Sequence, residues 1–273
     1  MDFDGLKVAD EFSRDISSPV INVLREDESQ PGSTLYTQGA AILRSTPGGP
    51  ATVIAGNVKD KGLVNGDASN ARFGIIFDFL FYEPRRIAIV DYHYGCIRGL
   101  DLEANAVSNI AGICSTEPVS SSGLPSFAIP TRIVYLKRQS YFIVYAYSTQ
   151  TFSFQLLKID SATRSVSLLN DSLTGRISKV RSLLVDQSET VLYVGYSGGL
   201  AKVDLHSFEA IDLTFHGPAV QNGPAAVGTL NYMRWLVDGV IIVAVTEEAV
   251  AVIDLGLEEV DFLCNGKLCS QVM

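Results

Sequence analysis

The chain has 273 residues, 47% hydrophobic and 19% charged, a balance that builds a packed core and excludes an intrinsically disordered polypeptide. Its formal net charge of −9 repels phosphate backbones and argues against nucleic-acid binding. The most apolar stretch, Val237 to Leu255, is broken by Asp238, Glu247, Glu248 and Asp254, whereas a membrane-spanning helix needs roughly 20 nearly uncharged residues.

Residues 1–17 lack the basic and apolar pattern of a signal peptide and read as an N-terminal extension. A faint first unit follows, with strands expected at Val20–Leu24, Thr34–Thr37, Ala40–Arg44 and Thr52–Ala55. The linking loop Asn57 to Asn70 is rich in glycine and asparagine, residues that tolerate positive φ in tight connections. The second unit is the clearest. Its strands are expected at Phe77–Tyr82, Ile87–Asp91, Cys96–Asp101 and Val107–Ala111, with Glu83-Pro84-Arg85 as the first turn. The third repeats this at Arg132–Leu136, Tyr141–Tyr147, Phe152–Asp160 and Ser165–Leu169. The fourth runs through Val180–Asp186, Thr190–Tyr196, Leu200–Asp204 and Ala210–Phe215. The fifth runs through Leu230–Leu236, Val240–Thr246, Val250–Asp254 and Val260–Cys264, leaving 265–273 as a C-terminal tail.

The third strand of units two to five ends in an aliphatic residue and an aspartate: Leu100-Asp101, Ile159-Asp160, Val203-Asp204 and Ile253-Asp254. No segment carries a sustained helical period. Units of roughly 45–55 residues with four strands each fit a propeller blade better than a solenoid repeat. The fold class expected is all-β: a β-propeller of four-stranded antiparallel blades over 18–264, five recognisable, with five or six in the ring. A β-sandwich is the competing architecture, but it does not require the same four-strand grammar five times.

Residues 52–112 also carry specific motifs. Ala55-Gly56, Asn65-Gly66-Asp67 and Ala71-Arg72-Phe73 precede the strand Ile89-Val90-Asp91. Ile97-Arg98, Leu100-Asp101 and Ile110-Ala111-Gly112 follow it. This stretch resembles the NHL-repeat family of propellers, with partial echoes at Leu35-Tyr36-Thr37 and Leu192-Tyr193-Val194-Gly195. The family's Pro-x-Gly before the first strand is replaced by Ile76-Phe77-Asp78, and its turn Asn by Tyr94, so the resemblance implies the fold and not a family ligand site.

The function expected is a non-catalytic protein-interaction module, an acidic propeller that binds a protein partner through a face or rim. Tyr92, Tyr94, Tyr145, Tyr147 and Tyr196 fall at or just after second strands and are the candidate contact residues, since tyrosine adds amphipathic area at low entropic cost. Packing between blades is the alternative role for them. The alternative function is a propeller hydrolase or lyase, a metal-dependent esterase, lactonase or amidating-lyase-like enzyme with its site in the central channel. His93, His206 and His216 belong to turns on different rims, which disfavours a three-histidine zinc. Asp91, Asp101, Asp160, Asp204 and Asp254 recur too regularly for catalysis and are expected to accept hydrogen bonds at turns, with structural calcium as the other possibility. No catalytic residue, metal or cofactor is assigned.

The four cysteines permit two local disulfides, Cys96–Cys114 across one hairpin and Cys264–Cys269 around Asn265-Gly266. Such staples belong to oxidising compartments, so a secreted, luminal or cell-surface location is expected, with the cytoplasm as alternative.

Overall fold

Short runs of β-branched and aromatic residues, separated by turn residues, zip into consecutive antiparallel hairpins through the described residues. In a computed structural model, residues 23–115, 129–148, 153–170, 180–196, 199–213, 232–237, 239–245, 250–257, 259–264 and 267–268 are described, and they contain no helix. The first sheet is β1 (Leu24–Glu26), β2 (Thr34–Gln38), β3 (Ala40–Ser45) and β4 (Thr52–Asn57). The second blade is β6 (Ile76–Glu83), β7 (Arg86–Asp91), β8 (Cys96–Asp101) and β9 (Ala106–Ala111), with the two-residue strand β5 (Gly66–Asp67) added outside β9. The third is β10 (Ile129–Leu136), β11 (Tyr141–Ser148), β12 (Ser153–Asp160) and β13 (Val166–Asn170). The fourth is β14 (Ser182–Val185), β15 (Val191–Tyr196), β16 (Gly199–Asp204) and β17 (Ala210–Leu213). The fifth is β18 (Tyr232–Val237), β19 (Ile241–Val245), β20 (Val250–Asp254) and β21 (Glu259–Cys264), extended by β22 (Lys267–Leu268).

Each sheet keeps sequence order across its four main strands, and the sheets are the blades of a five-bladed β-propeller. The first strands of the second to fifth blades lie side by side, β6 by β10, β10 by β14 and β14 by β18, which places them around the axis. Apolar seams glue successive blades. Leu35 and Ile42 pack with Phe73 and Phe79; Val90 and Ile97 pack with Ile133 and Phe142. Ile143 and Tyr145 pack with Leu183 and Val194; Tyr193 and Leu200 pack with Met233 and Ile242. Each seam removes from water the sheet face that a lone blade leaves exposed. Between the fifth and first blades, the Arg25 guanidinium lies over the Tyr232 ring, 5.6 Å from its centroid.

The turns follow one grammar. After the third strand of each of blades two to five, the terminal aspartate accepts two following backbone N–H groups on its Oδ1. Asp101 accepts from Glu103 and Ala104, Asp160 from Ala162 and Thr163, Asp204 from His206 and Ser207, and Asp254 from Gly256 and Leu257. These are Asx turns, the role expected of the repeated carboxylates. Four residues after the aspartates, within the same turns, Asn105, Arg164 and Phe208 all take left-handed φ, as do Arg85, Ser140 and Glu189 before the second strands.

Most strand ends shift by one to three residues from expectation, and two differences change an assignment. The first strand spans Leu24–Glu26 rather than Val20–Leu24, because Leu24, Arg25 and Glu26 are the residues that register with Tyr36, Leu35 and Thr34; positions 20–22 lie outside the described residues. Within 265–273, Lys267 and Leu268 pair with Cys264 and Leu263, so part of the expected tail is sheet.

Candidate partner-binding rim

Antiparallel order puts the ends of second strands, the starts of third strands and the starts of first strands on one rim. All five candidate tyrosines therefore gather there, but not in one role. Tyr94 and Tyr145 are 8% and 4% exposed, so they are packing residues with no area to offer a partner. Tyr145 stacks on Phe154 at 4.9 Å within the seam between the third and fourth blades. Tyr92, Tyr147 and Tyr196 are partly exposed. Tyr92 stacks on Phe77 at 4.0 Å, Tyr147 meets Phe154 edge-on at 5.1 Å, and the Tyr196 hydroxyl donates to Asp212 Oδ1 at 2.9 Å. Each ring is thus braced on its own blade while remaining partly exposed, and bracing lowers the entropy lost on binding.

The same rim carries the expected Cys96–Cys114 disulfide, with Cα atoms 5.1 Å apart. The register explains it: Ile97 faces Ala111, so the chain beyond β9 returns past Cys96. Cys269 lies outside the described residues, and with it the Cys264–Cys269 pairing.

Beneath the rim, the motif residues of 52–112 form one network. Arg98 is fully buried and donates to the carbonyls of Arg72 and Val64, to Asn65 Oδ1 at 2.8 Å and to Asp91 Oδ2 at 3.3 Å. Its guanidinium also covers the Phe73 ring at 4.6 Å. Asp91 accepts from Gly74 N at 3.2 Å, so one ion pair ties the interblade loop to the second and third strands. Burial pushes the Asp91 carboxyl above its ordinary range, against the pull of Gly74 N–H and Arg98. Asp91 also accepts the Tyr94 backbone N–H of the turn that follows it, so it keeps the expected turn role and adds a buried ion pair.

Nearer the axis stand residues that strand patterns did not single out. Asp78 on β6 is 4% exposed. Its Oδ1 accepts from Arg25 Nη2 at 2.7 Å and from Phe79 N at 2.9 Å, and its Oδ2 from Ile133 N at 3.2 Å. Arg132 on β10 donates to the carbonyls of Thr131, Phe77 and Arg181. Burial works against the Arg25 charge, and Asp78 and Tyr232 more than restore it; for Arg132, burial prevails over the attraction of Asp78, with Arg181 and Arg25 adding repulsion. The available signal was a charged residue near the start of otherwise apolar first strands.

His93 and His206 are exposed in a β7–β8 and a β16–β17 turn, on opposite rims, and His216 lies outside the described residues. Among the described residues, no three His, Cys, Asp or Glu side chains form a metal-holding group.

No protein-family model matches this sequence, and no curated protein matches it. Solved structures do match. A chain from the crystal structure of a nidogen/laminin complex superposes with a TM-score of 0.63 at 12% identity, over 90% of this chain and 80% of that one. A structural-genomics protein of unknown function from Bacteroides thetaiotaomicron superposes at 0.57 with 14% identity, over 88% and 64%. The extracellular domain of the hybrid two component system BT3049 from B. thetaiotaomicron superposes at 0.56 with 14% identity, over 90% of this chain but 30% of that one. At these identities the likeness establishes the propeller fold, and this chain spans under two thirds of the two bacterial chains.

Proposed function

We propose that the chain is a non-catalytic, NHL-like propeller module that binds a protein partner through the rim bearing Tyr92, Tyr147 and Tyr196. The observation that carries this reading is their placement. Three aromatic rings from three consecutive blades sit partly exposed on one rim, each braced by a neighbour. Braced, amphipathic aromatics are the residues that dominate binding energy in protein interfaces. One structural neighbour comes from a complex of two proteins, and another is an extracellular domain, which fits the same use of the fold. The Cys96–Cys114 bridge supports residence in an oxidising compartment. The NHL-like assignment is supported by the network that joins Asn65, Arg72, Asp91 and Arg98.

The test is affinity capture from native extracellular material with the wild-type chain and with a Tyr92→Ala/Tyr147→Ala/Tyr196→Ala variant of unchanged circular dichroism. The reading expects a saturable partner that binds the wild type and is lost with the variant. A partner retained equally by both proteins would place the interface elsewhere.

A further inference from the structure

We infer that the axial mouth of the propeller, bounded by Arg25, Arg132 and Arg181, is a binding site for one compact oxyanion, a carboxylate or phosphate group. In this acidic chain, Arg25 pairs with Asp78, Arg132 is drawn to the same carboxylate, and Arg25 and Arg181 both repel Arg132. Arg25 and Arg132 both grip the Phe77–Phe79 segment of β6, through the Phe79 and Phe77 carbonyls, and Arg132 Nε reaches the carbonyl of Arg181. The three come from the first, third and fourth blades, so only the ring closure brings them together.

Asp78 does not neutralise this cluster. One of its oxygens is taken by Arg25 Nη2 and Phe79 N, and the other by Ile133 N. Arg132 is held by carbonyl oxygens alone, which satisfy its hydrogens but not its charge. Its Nη2 has no partner among the described residues and is not buried. Arg181 lies exposed just before β14; its backbone N–H bonds to Gly195 O at 2.8 Å, while its guanidinium has no partner among the described residues. Among the described residues, neither of these two cationic forks is hydrogen-bonded to a carboxylate, and one is fixed in orientation by three carbonyls. A fixed guanidinium fork matches the paired oxygens of a carboxylate or phosphate, and an anion between two such forks relieves their repulsion. The site also differs from a nucleic-acid surface, because it is one point of positive charge in a chain of net charge −9.

This inference is independent of the tyrosine rim, and the two are tested on different residues. The full chain is titrated with inorganic phosphate and, separately, with acetate, following arginine Nε–H resonances by NMR, at low and at physiological salt. The expected result is one saturable site that weakens with salt, perturbs Arg132, and loses affinity on the order of tenfold or more in Arg181→Ala. Arg181→Ala keeps its thermal midpoint, since that side chain holds nothing together. Arg132→Lys, which keeps charge but not the fork, weakens binding as well; if that variant does not fold, Arg181→Ala decides alone. Preference for acetate assigns a partner's carboxylate as the natural occupant, and preference for phosphate assigns a phosphorylated one. Absence of saturable binding by either ion, or affinity unchanged in Arg181→Ala, overturns the proposal.

Discussion

A single buried arginine ties together the interblade loop and the second blade. Arg98 supplies donors to Val64, Asn65, Arg72 and Asp91, and both members of its ion pair are fully buried. Replacing it by methionine leaves Asp91 charged and without its ion-pair partner in the core, and removes one of the two donors from each of the Val64 and Arg72 carbonyls. Breaking a buried pair from one side costs about 3–5 kcal/mol, so Arg98→Met should lower the urea midpoint by that equivalent or fail to fold. Ser140 tests the opposite case. It sits at φ 55° in the β10–β11 turn, a region that glycine enters without steric cost. Ser140→Gly should be stabilising by up to about 1 kcal/mol in the same assay. The turn aspartates set the pH response. Asp101, Asp160 and Asp204 lie below the ordinary carboxylate range because turn N–H groups, led by those of Ala104, Thr163 and Ser207, bond to the charged form. Depressed folded values mean stability that is present above the unfolded value, near ~3.9, and lost as pH falls through the folded ones. Asp91, raised by burial, acts with the opposite sign: its contribution is present below the unfolded value and lost as pH rises. With Asp67 and Asp186 also depressed and Glu28 also raised, five lowered carboxylates against two raised ones predict a urea midpoint that falls between about pH 5 and about pH 3. A midpoint that rose over this range would contradict the turn assignment.

At the scale of elements, the Cys96–Cys114 bridge closes the β8–β9 hairpin over a separation of 18 residues. Loops of that size gain about 3 kcal/mol from cross-linking, so a reductant should lower the thermal midpoint, and Cys114→Ala should lower it equally without further response to reductant. The bridge was legible in the sequence because hairpin register is local: once the β8–β9 turn is fixed, the facing residues follow. The four-strand grammar was legible for the same reason, since every turn joins sequence neighbours. The roles of the tyrosines were not. Tyr145 and Tyr147 share one face of β11, yet one is enclosed by the fourth blade and the other is left at its edge, a difference set by the neighbouring sheet. The axial arginines were equally hidden, because Arg25, Asp78 and Arg132 meet across three blades. The strand β5 escaped notice because two residues carry no period, and its place is fixed by Gly66 and Asp67 pairing with Val107 and Ala106.

For the whole molecule, charge and seams frame what the propeller does. The net charge of −9 predicts no submicromolar binding of single-stranded RNA at physiological salt, measured by a fluorescence titration with salt controls, even with the axial arginines present. The blades expose two rims of different character. One bears the second-strand ends with Tyr92, Tyr147 and Tyr196; the other bears the Asx turns at Asp101, Asp160, Asp204 and Asp254. The proposed partner seats on the first. Hydrogen exchange of the chain, alone and with its captured partner, tests that assignment most directly. Slowed exchange at Tyr92–Gly95, Tyr147 and Tyr196, with the turns at 102–105 and 205–208 unchanged, is the predicted result. Protection confined to those Asx turns, or no protection at either rim, would contradict it.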